Sequence, residues 1–158
     1  MLTVREATPL DLPAICALGE EVNIIHHAAF PAVFAGPAAL DRDALHWSNS
    51  IAKVDVTTLL VEEEGQVIAF VTLGVTNETN SLLQPMRVGR VGSIGVTASR
   101  RGQRVGSELM QHAHAWLRLH GATEVRLNVW AFNSGALALY RELGYEVRSM
   151  QLAKALAP

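Results

Sequence analysis

Arg101-Gly102-Gln103-Arg104-Val105-Gly106-Ser107 lies between an apolar, strand-like run, Val91 to Val96, and a helix-like run, Val105 to Leu119. Strand, glycine-bearing turn and helix start form a backbone arrangement suited to anions. The first N–H groups of a helix have no partner within it and point outward. The helix dipole adds about half a positive charge there, which favours a phosphate. Gly102 and Gly106 allow a ligand close to the main chain, and Arg100, Arg101 and Arg104 surround it with positive charge. A plain surface connection would read much the same, so the loop needs its context. It is not a Walker loop, because no Gly-Lys-Ser/Thr ends it, and the Gly-x-Gly-x-x-Gly dinucleotide spacing is absent.

Working outward, Val4 to Ala7 reads as a first strand, and Thr8-Pro9-Leu10-Asp11 as a helix start with Thr8 at the N-cap. Leu12, Ile15, Gly19 and Val22 continue it at helical spacing. The pattern predicts a second helix over Ala38 to Ile51, with Leu40, Ala44, Trp47 and Ile51 on one face. Thr57 to Val61 and Val67 to Val75 are β-branched and apolar, and Gly65 between them signals a hairpin. A polar loop, Asn77 to Pro85, precedes a strand from Arg87 to Val96. Interior glycines at 92 and 95 mark a bulge or a close approach by a ligand. After the loop come a helix ending near Gly121, a strand from Glu124 to Val129, and a helix from Ser134 to Leu143 between Asn133 and Gly144. Tyr145 to Leu152 is predicted to add one or two final strands. The order implies a mixed α/β sheet covered by helices.

A chain of 158 residues, 49% hydrophobic and 18% charged, suits one soluble domain spanning 1–158. A net charge of −2 gives no support for a nucleic-acid or anionic-membrane partner. No apolar run reaches the roughly 18 to 20 residues of a membrane span. The opening Met1-Leu2-Thr3-Val4-Arg5-Glu6 shows no signal-peptide pattern. The one cysteine, Cys16, sits among apolar residues as a core side chain, and a single thiol fits a reducing compartment. The expected location is the cytoplasm. His112, His114 and His120 share a helix but do not form a metal-ligand face, so no metal site is expected. Trp116 and Leu109 read as core.

With these pieces in place the chain resembles the GNAT superfamily of N-acetyltransferases. That family's acetyl-CoA loop reads Arg/Gln-x-x-Gly-x-Gly/Ala. Arg101 fills the first position and Gly106 the last, whereas Arg104 stands where the middle glycine is usual. A second signature, Asn-x-x-Ala-x-x-Leu-Tyr followed by Gly-Tyr/Phe, is matched at Asn133, Ala136, Leu139, Tyr140, Gly144 and Tyr145. Arg5-x-Ala7-Thr8-x-x-Asp11 is similar to the family's usual opening. The resemblance covers nearly the whole chain. It implies a splayed, mixed but mostly antiparallel sheet flanked by helices, with acetyl-CoA as cosubstrate. The pantetheine arm would lie in the splay against main-chain groups of Ile94 and Val96. The pyrophosphate would lie on the amides of Gln103, Arg104, Val105, Gly106 and Ser107, beside Arg101 and Gly102.

The resemblance assigns further roles, each with a plainer counterpart. Tyr140 is the family's usual general acid, since a phenol near pKa 10 can protonate a departing thiolate whose thiol has a pKa near about 8.5. The counterpart is a packed helix tyrosine. Asn133 would touch the cofactor, or serve only as an N-cap. Arg104 would bind phosphate or point into solvent; a positive φ there would strain it. The Ile94 amide would stabilise the oxyanion. Many relatives carry a glutamate base on the strand before the loop, where Arg90 stands here. Glu78, His26, His27 and His46 fall in segments that often wall the acceptor cleft.

The resemblance implies transfer of acetyl to a primary amine by direct attack. The acceptor is an amine-bearing small molecule or a peptide, and a homodimer is among the assemblies allowed. The alternative is a non-catalytic acyl-CoA-binding or sensing module on the same fold. A nucleotide-phosphate binder is disfavoured by the missing Walker lysine.

Overall fold

A computed structural model of the chain describes residues 1–39 and 41–158. Two compact units are present, Met1–Asn128 and Val129–Pro158. The first contains a five-stranded mixed sheet in the order β1-β2-β3-β4-β5, with β1 at Leu2–Glu6, β2 at Val56–Glu63, β3 at Gln66–Glu78, β4 at Met86–Val96 and β5 at Glu124–Leu127. All neighbours are antiparallel except β4 and β5, which run parallel. Glu64 and Gly65, both with positive φ, close the β2–β3 hairpin as a two-residue loop.

Helix α1 (Leu12–Ala29) follows a 3₁₀ turn at Pro9–Asp11, so the predicted start at Thr8 caps the turn rather than the α-helix. Asp11 accepts from the Thr8 main-chain N–H at 2.7 Å and is gripped by Arg5 at 2.7 and 2.9 Å. The Arg5 guanidinium, foremost, holds the Asp11 carboxyl far below the usual carboxylate range. The Arg5…Thr8…Asp11 pattern is therefore a folding device at the entry to α1.

The predicted second helix is confined to α2, Ala44–Ser48. Leu40 lies outside the described residues. The reduction has a local reason: Trp47 and Ile51 are buried, but Leu45 is exposed and Asp41, Arg42 and Asp43 offer no apolar face to extend. Trp47 packs edge-on against Phe70, and a Cβ on Gly19 would lie 2.5 Å from its ring. Ala7, Ile15, Cys16, Leu18, Trp47, Ile51, Leu60 and Phe70 form one core cluster on this face. Burial, with Asp43 and Asp41 nearby, raises the Cys16 thiol pKa, in keeping with a core role. Helix α3 (Val105–Leu119) covers the other face, with Leu109, Met110, Ala113 and Leu117 fully buried.

The interior glycines of β4 have packing reasons. A Cβ on Gly95 would lie 2.7 Å from Phe70 and 2.9 Å from Val22, and one on Gly92 would lie 2.5 Å from Thr72 Oγ1. The β3–β4 register shifts between Val71 and Leu73, and the Ser93 N–H donates to Thr72 Oγ1 at 2.8 Å. The predicted bulge is there, filled by Thr72.

The second unit holds α4 (Ser134–Glu142). The final strands expected over Tyr145 to Leu152 do not form: residues 145–158 take no regular structure. Val147, Met150, Leu152 and Leu156 are exposed, and strand propensity without burial is too weak to order a segment. Strand β5 likewise ends at Leu127, where its last pairing with Val91 is made.

Gly95→Ala is expected to lower the unfolding free energy by about 1–3 kcal/mol through overpacking against Phe70 and Val22. Urea-unfolding midpoints of the two proteins check this.

Candidate acetyl-CoA site

The site begins with a mismatch in strand length. β5 pairs with β4 only from Val88 to Val91, whereas β4 runs on to Val96. Beyond Val91, β4 is held on one edge by β3, through the pairs Val71–Ile94, Phe70–Gly95 and Ala69–Val96. The Thr97 N–H donates to Ile68 O at 2.9 Å, and that of Ser93 to Thr72. Main-chain groups alternate sides along a strand, so those of Ile94 and Val96 face the edge that β5 has left. Strand groups with no strand partner accept an added extended chain, although the Val96 carbonyl already accepts from Arg101 Nε at 2.9 Å.

The loop follows directly. Gly102 has φ of 73° and Arg104 has φ of 66°, both left-handed. Such backbone suits glycine, and at Arg104 the family's usual glycine is missing. The side chain therefore sits on a backbone that disfavours it by roughly 1–2 kcal/mol. Val105 is buried and anchors the helix start. The first intrahelical bond runs from the Glu108 N–H to Arg104 O at 3.0 Å. The amides of Val105, Gly106 and Ser107 therefore point out of the helix end, where the dipole favours an anion.

The three arginines are not equivalent. Arg100 pairs with Glu63 and donates to Gln103 Oε1 at 3.1 Å, while Gln103 donates to Ser99 O at 2.9 Å. Arg101 donates from Nε to Val96 O at 2.9 Å and from Nη2 to Glu21 Oε2 at 3.2 Å. The Arg104 side chain makes no hydrogen bond or ion pair among the described residues. Its guanidinium is the loop's uncommitted cation. Glu21 and Glu63 were not anticipated. Their partners lie 80 and 37 positions away along the chain, and no local pattern marks such contacts.

The remaining predicted residues lie in the second unit. Asn133 caps α4, its Oδ1 accepting from the Ala136 N–H at 3.1 Å. At the other end Gly144 has φ of 87°, the Gly144 N–H reaches Arg141 O at 3.0 Å, and the Tyr145 N–H reaches Tyr140 O at 2.9 Å. This paired closure is a Schellman cap. It seats the Tyr145 ring 5.6 Å from that of Tyr140, edge to face. Tyr140 is buried, and burial raises its pKa; Tyr145 is pushed up to about 12 by burial and by the neighbouring Tyr140. Both phenols hold their protons at neutral pH.

The segments expected to wall an acceptor show engaged side chains. Glu78 lies 3.1 Å from Arg90 and 3.6 Å from Arg126. His26 Nδ1 lies 2.8 Å from Val22 O and His27 Nδ1 lies 2.8 Å from Phe34 O. His46 packs against Trp47. Among the described residues no three His, Cys, Asp or Glu side chains are grouped to hold a metal.

A family model described as the acetyltransferase (GNAT) family matches residues 21–145. This chain belongs to the GNAT acetyltransferase family. Mycothiol acetyltransferase from Amycolatopsis mediterranei (strain U-32) is 34% identical over 86 residues, 54% of this GNAT chain and 29% of that protein. The matched part is thus under a third of that relative's length. Among solved structures, a mutant of the BH1408 protein from Bacillus halodurans superposes with a TM-score of 0.91 at 19% identity, covering 98% of this chain and 99% of that one. The aminoglycoside N-acetyltransferase AAC(6')-Iy in complex with CoA superposes with a TM-score of 0.77 at 15% identity, covering 99% and 95%. At these identities the two structures establish the shared GNAT fold.

Arg104→Gly is expected to keep stability within about 1 kcal/mol, because relief of the left-handed strain offsets the added unfolded-state freedom of glycine. Arg104→Val is expected to be clearly less stable than Arg104→Gly, since a β-branched residue is worst at positive φ. Thermal unfolding of the three proteins tests the ranking.

Proposed function

We propose that this chain, as one domain over 1–158, is an acetyl-CoA-dependent N-acetyltransferase that acetylates a primary amine by direct attack. The observation that carries the reading is the bare end of β4, which leads through a left-handed turn into the outward amides of α3. Family membership supports it. So does CoA itself in the structure of the neighbour AAC(6')-Iy.

In this reading the pantetheine amides bond to main-chain groups of Ile94 and Val96, as an added strand. The pyrophosphate lies on the amides of Gln103 to Ser107, and Arg104 supplies the positive side chain. Asn133 contacts the cofactor while capping α4. The amine nitrogen attacks the thioester carbonyl carbon, and the Ile94 N–H stabilises the oxygen that becomes negative. Collapse of the tetrahedral intermediate breaks the C–S bond. The thiolate takes the Tyr140 hydroxyl proton, and the nitrogen's surplus proton passes to water. The tyrosinate takes a proton back from water, and burial, which raises the phenol's pKa, favours this reprotonation before the next turnover. No carboxylate base is required of Glu78, which already faces two arginines. The acceptor is a small molecule or a peptide bearing a primary amine, and the enzyme works in the cytoplasm. Arg90, in place of the usual strand glutamate, and Arg104, in place of the usual loop glycine, are the features that favour the sensing module instead.

Tyr140→Phe keeps the ring and deletes the hydroxyl. Turnover of an accepted amine should fall by about 10²-fold, with CoA affinity nearly unchanged. Near-normal turnover in this variant removes the acid role. Tight CoA binding with no turnover by the unaltered protein, across a broad amine panel, favours the sensing module.

Gly106→Glu places a carboxylate at the helix end. CoA binding measured by calorimetry should weaken more than tenfold in a variant that still folds. Equal affinity moves the pyrophosphate away from this loop.

A further inference from the structure

We propose that Glu21, on α1, is a positioning residue for the acetyl-CoA loop, acting through Arg101 and the turn at Thr97–Ala98. The role rests on the acetyltransferase reading above. Three donors converge on the Glu21 carboxylate: the Ala98 N–H at 3.1 Å, Thr97 Oγ1 at 3.3 Å and Arg101 Nη2 at 3.2 Å. The same Arg101 guanidinium donates from Nε to Val96 O at 2.9 Å. One carboxylate thus ties together the last residue of β4, the turn after it and the first arginine of the loop.

Glu21 is itself fixed in place. Its chain neighbour Val22 packs where a Cβ on Gly95 would lie, 2.9 Å away. The absence of a side chain at Gly95 lets α1 approach β4 closely enough for the residue before Val22, Glu21, to reach Ala98. The contact spans 77 positions of sequence, so it sets how the loop leaves the sheet relative to α1. Charged hydrogen bonds of this type are stronger than neutral ones and hold geometry well.

Charge gives a second reason for the arrangement. A lone carboxylate beside a pyrophosphate site would oppose binding. Arg101 neutralises Glu21, as Arg100 neutralises Glu63, which leaves Arg104 as the loop's net positive charge. Arg101 therefore serves the site as a brace at the Val96 carbonyl, one of the groups the pantetheine arm would meet. The brace fixes where that carbonyl points.

Glu21→Gln removes the charge and keeps the shape. CoA affinity by titration calorimetry should fall about tenfold, the scale of one charge-assisted hydrogen bond. KM for acetyl-CoA should rise by a similar factor with kcat held, and the melting temperature should barely move. Arg101→Gln should produce at least the same loss, because it also leaves the Glu21 carboxylate unneutralised, and the double variant should be no worse than Arg101→Gln alone, because both cut one brace. Arg104→Gly should add its loss independently. Arg101 is a surface side chain, so Arg101→Gln tests the same contact if Glu21→Gln folds poorly. CoA binding in Glu21→Gln or Arg101→Gln equal to that of the unaltered protein, or losses that simply add between 21 and 101, overturn the positioning role alone. No CoA binding by the unaltered protein overturns the acetyltransferase reading and this role with it.

Discussion

Strand β4 is longer than the strand that should cover it. Its residues 88–91 have β5 on one side, and among the described residues the strand pairing of residues 92–96 is with β3 alone. Main-chain N–H and C=O groups need partners, and a strand edge left bare within a fold is a place for an added chain. The glycines of β4 make that length possible. Gly95 admits Phe70 and Val22, and Gly92 admits the Thr72 bulge, so the far end of the strand is locked on its covered side while its other edge pairs with no strand among the described residues. The loop and the direction of α3 follow from where this strand stops.

The loop then distributes charge by tertiary contact. Three arginines within five residues would read as one basic cluster. In the fold, Glu63 takes Arg100 and Glu21 takes Arg101, and Arg104 alone faces outward without a partner among the described residues. Arg104 is also the residue on strained backbone. Such strain is tolerated where the surroundings fix the conformation, here the buried Val105 and the α3 helix behind it.

In the second unit the same economy appears in a different form. The Gly144-Tyr145 pair is a helix cap that brings one tyrosine onto another, so a motif that reads as chemistry is first a closure of backbone hydrogen bonds. Asn133 likewise caps α4 with the side chain that the proposed mechanism also presents to the cofactor.

The sequence by itself determined what depends on neighbours along the chain. Local patterns placed α1, α3, α4 and all five strands within a few residues, and Gly65 and Gly144 marked a tight turn and a helix end. The family motifs were legible because they are short and local: Arg101 to Gly106 at a strand–helix junction, Asn133 to Tyr145 as a capped helix. The tertiary structure decided what depends on burial and distant partners. The second helix shrank to Ala44–Ser48 because only Trp47 and Ile51 found a core, and the C-terminal strands did not form because Val147, Met150 and Leu152 found none. In sequence the glycines of β4 marked a bulge or a close approach by a ligand; the fold shows the bulge at Thr72, and Phe70 and Val22 take the space beside Gly95. Glu21 was unremarkable on α1 until the fold brought it against a loop 77 residues later, because a contact energy belongs to a pair and only folding makes the pair.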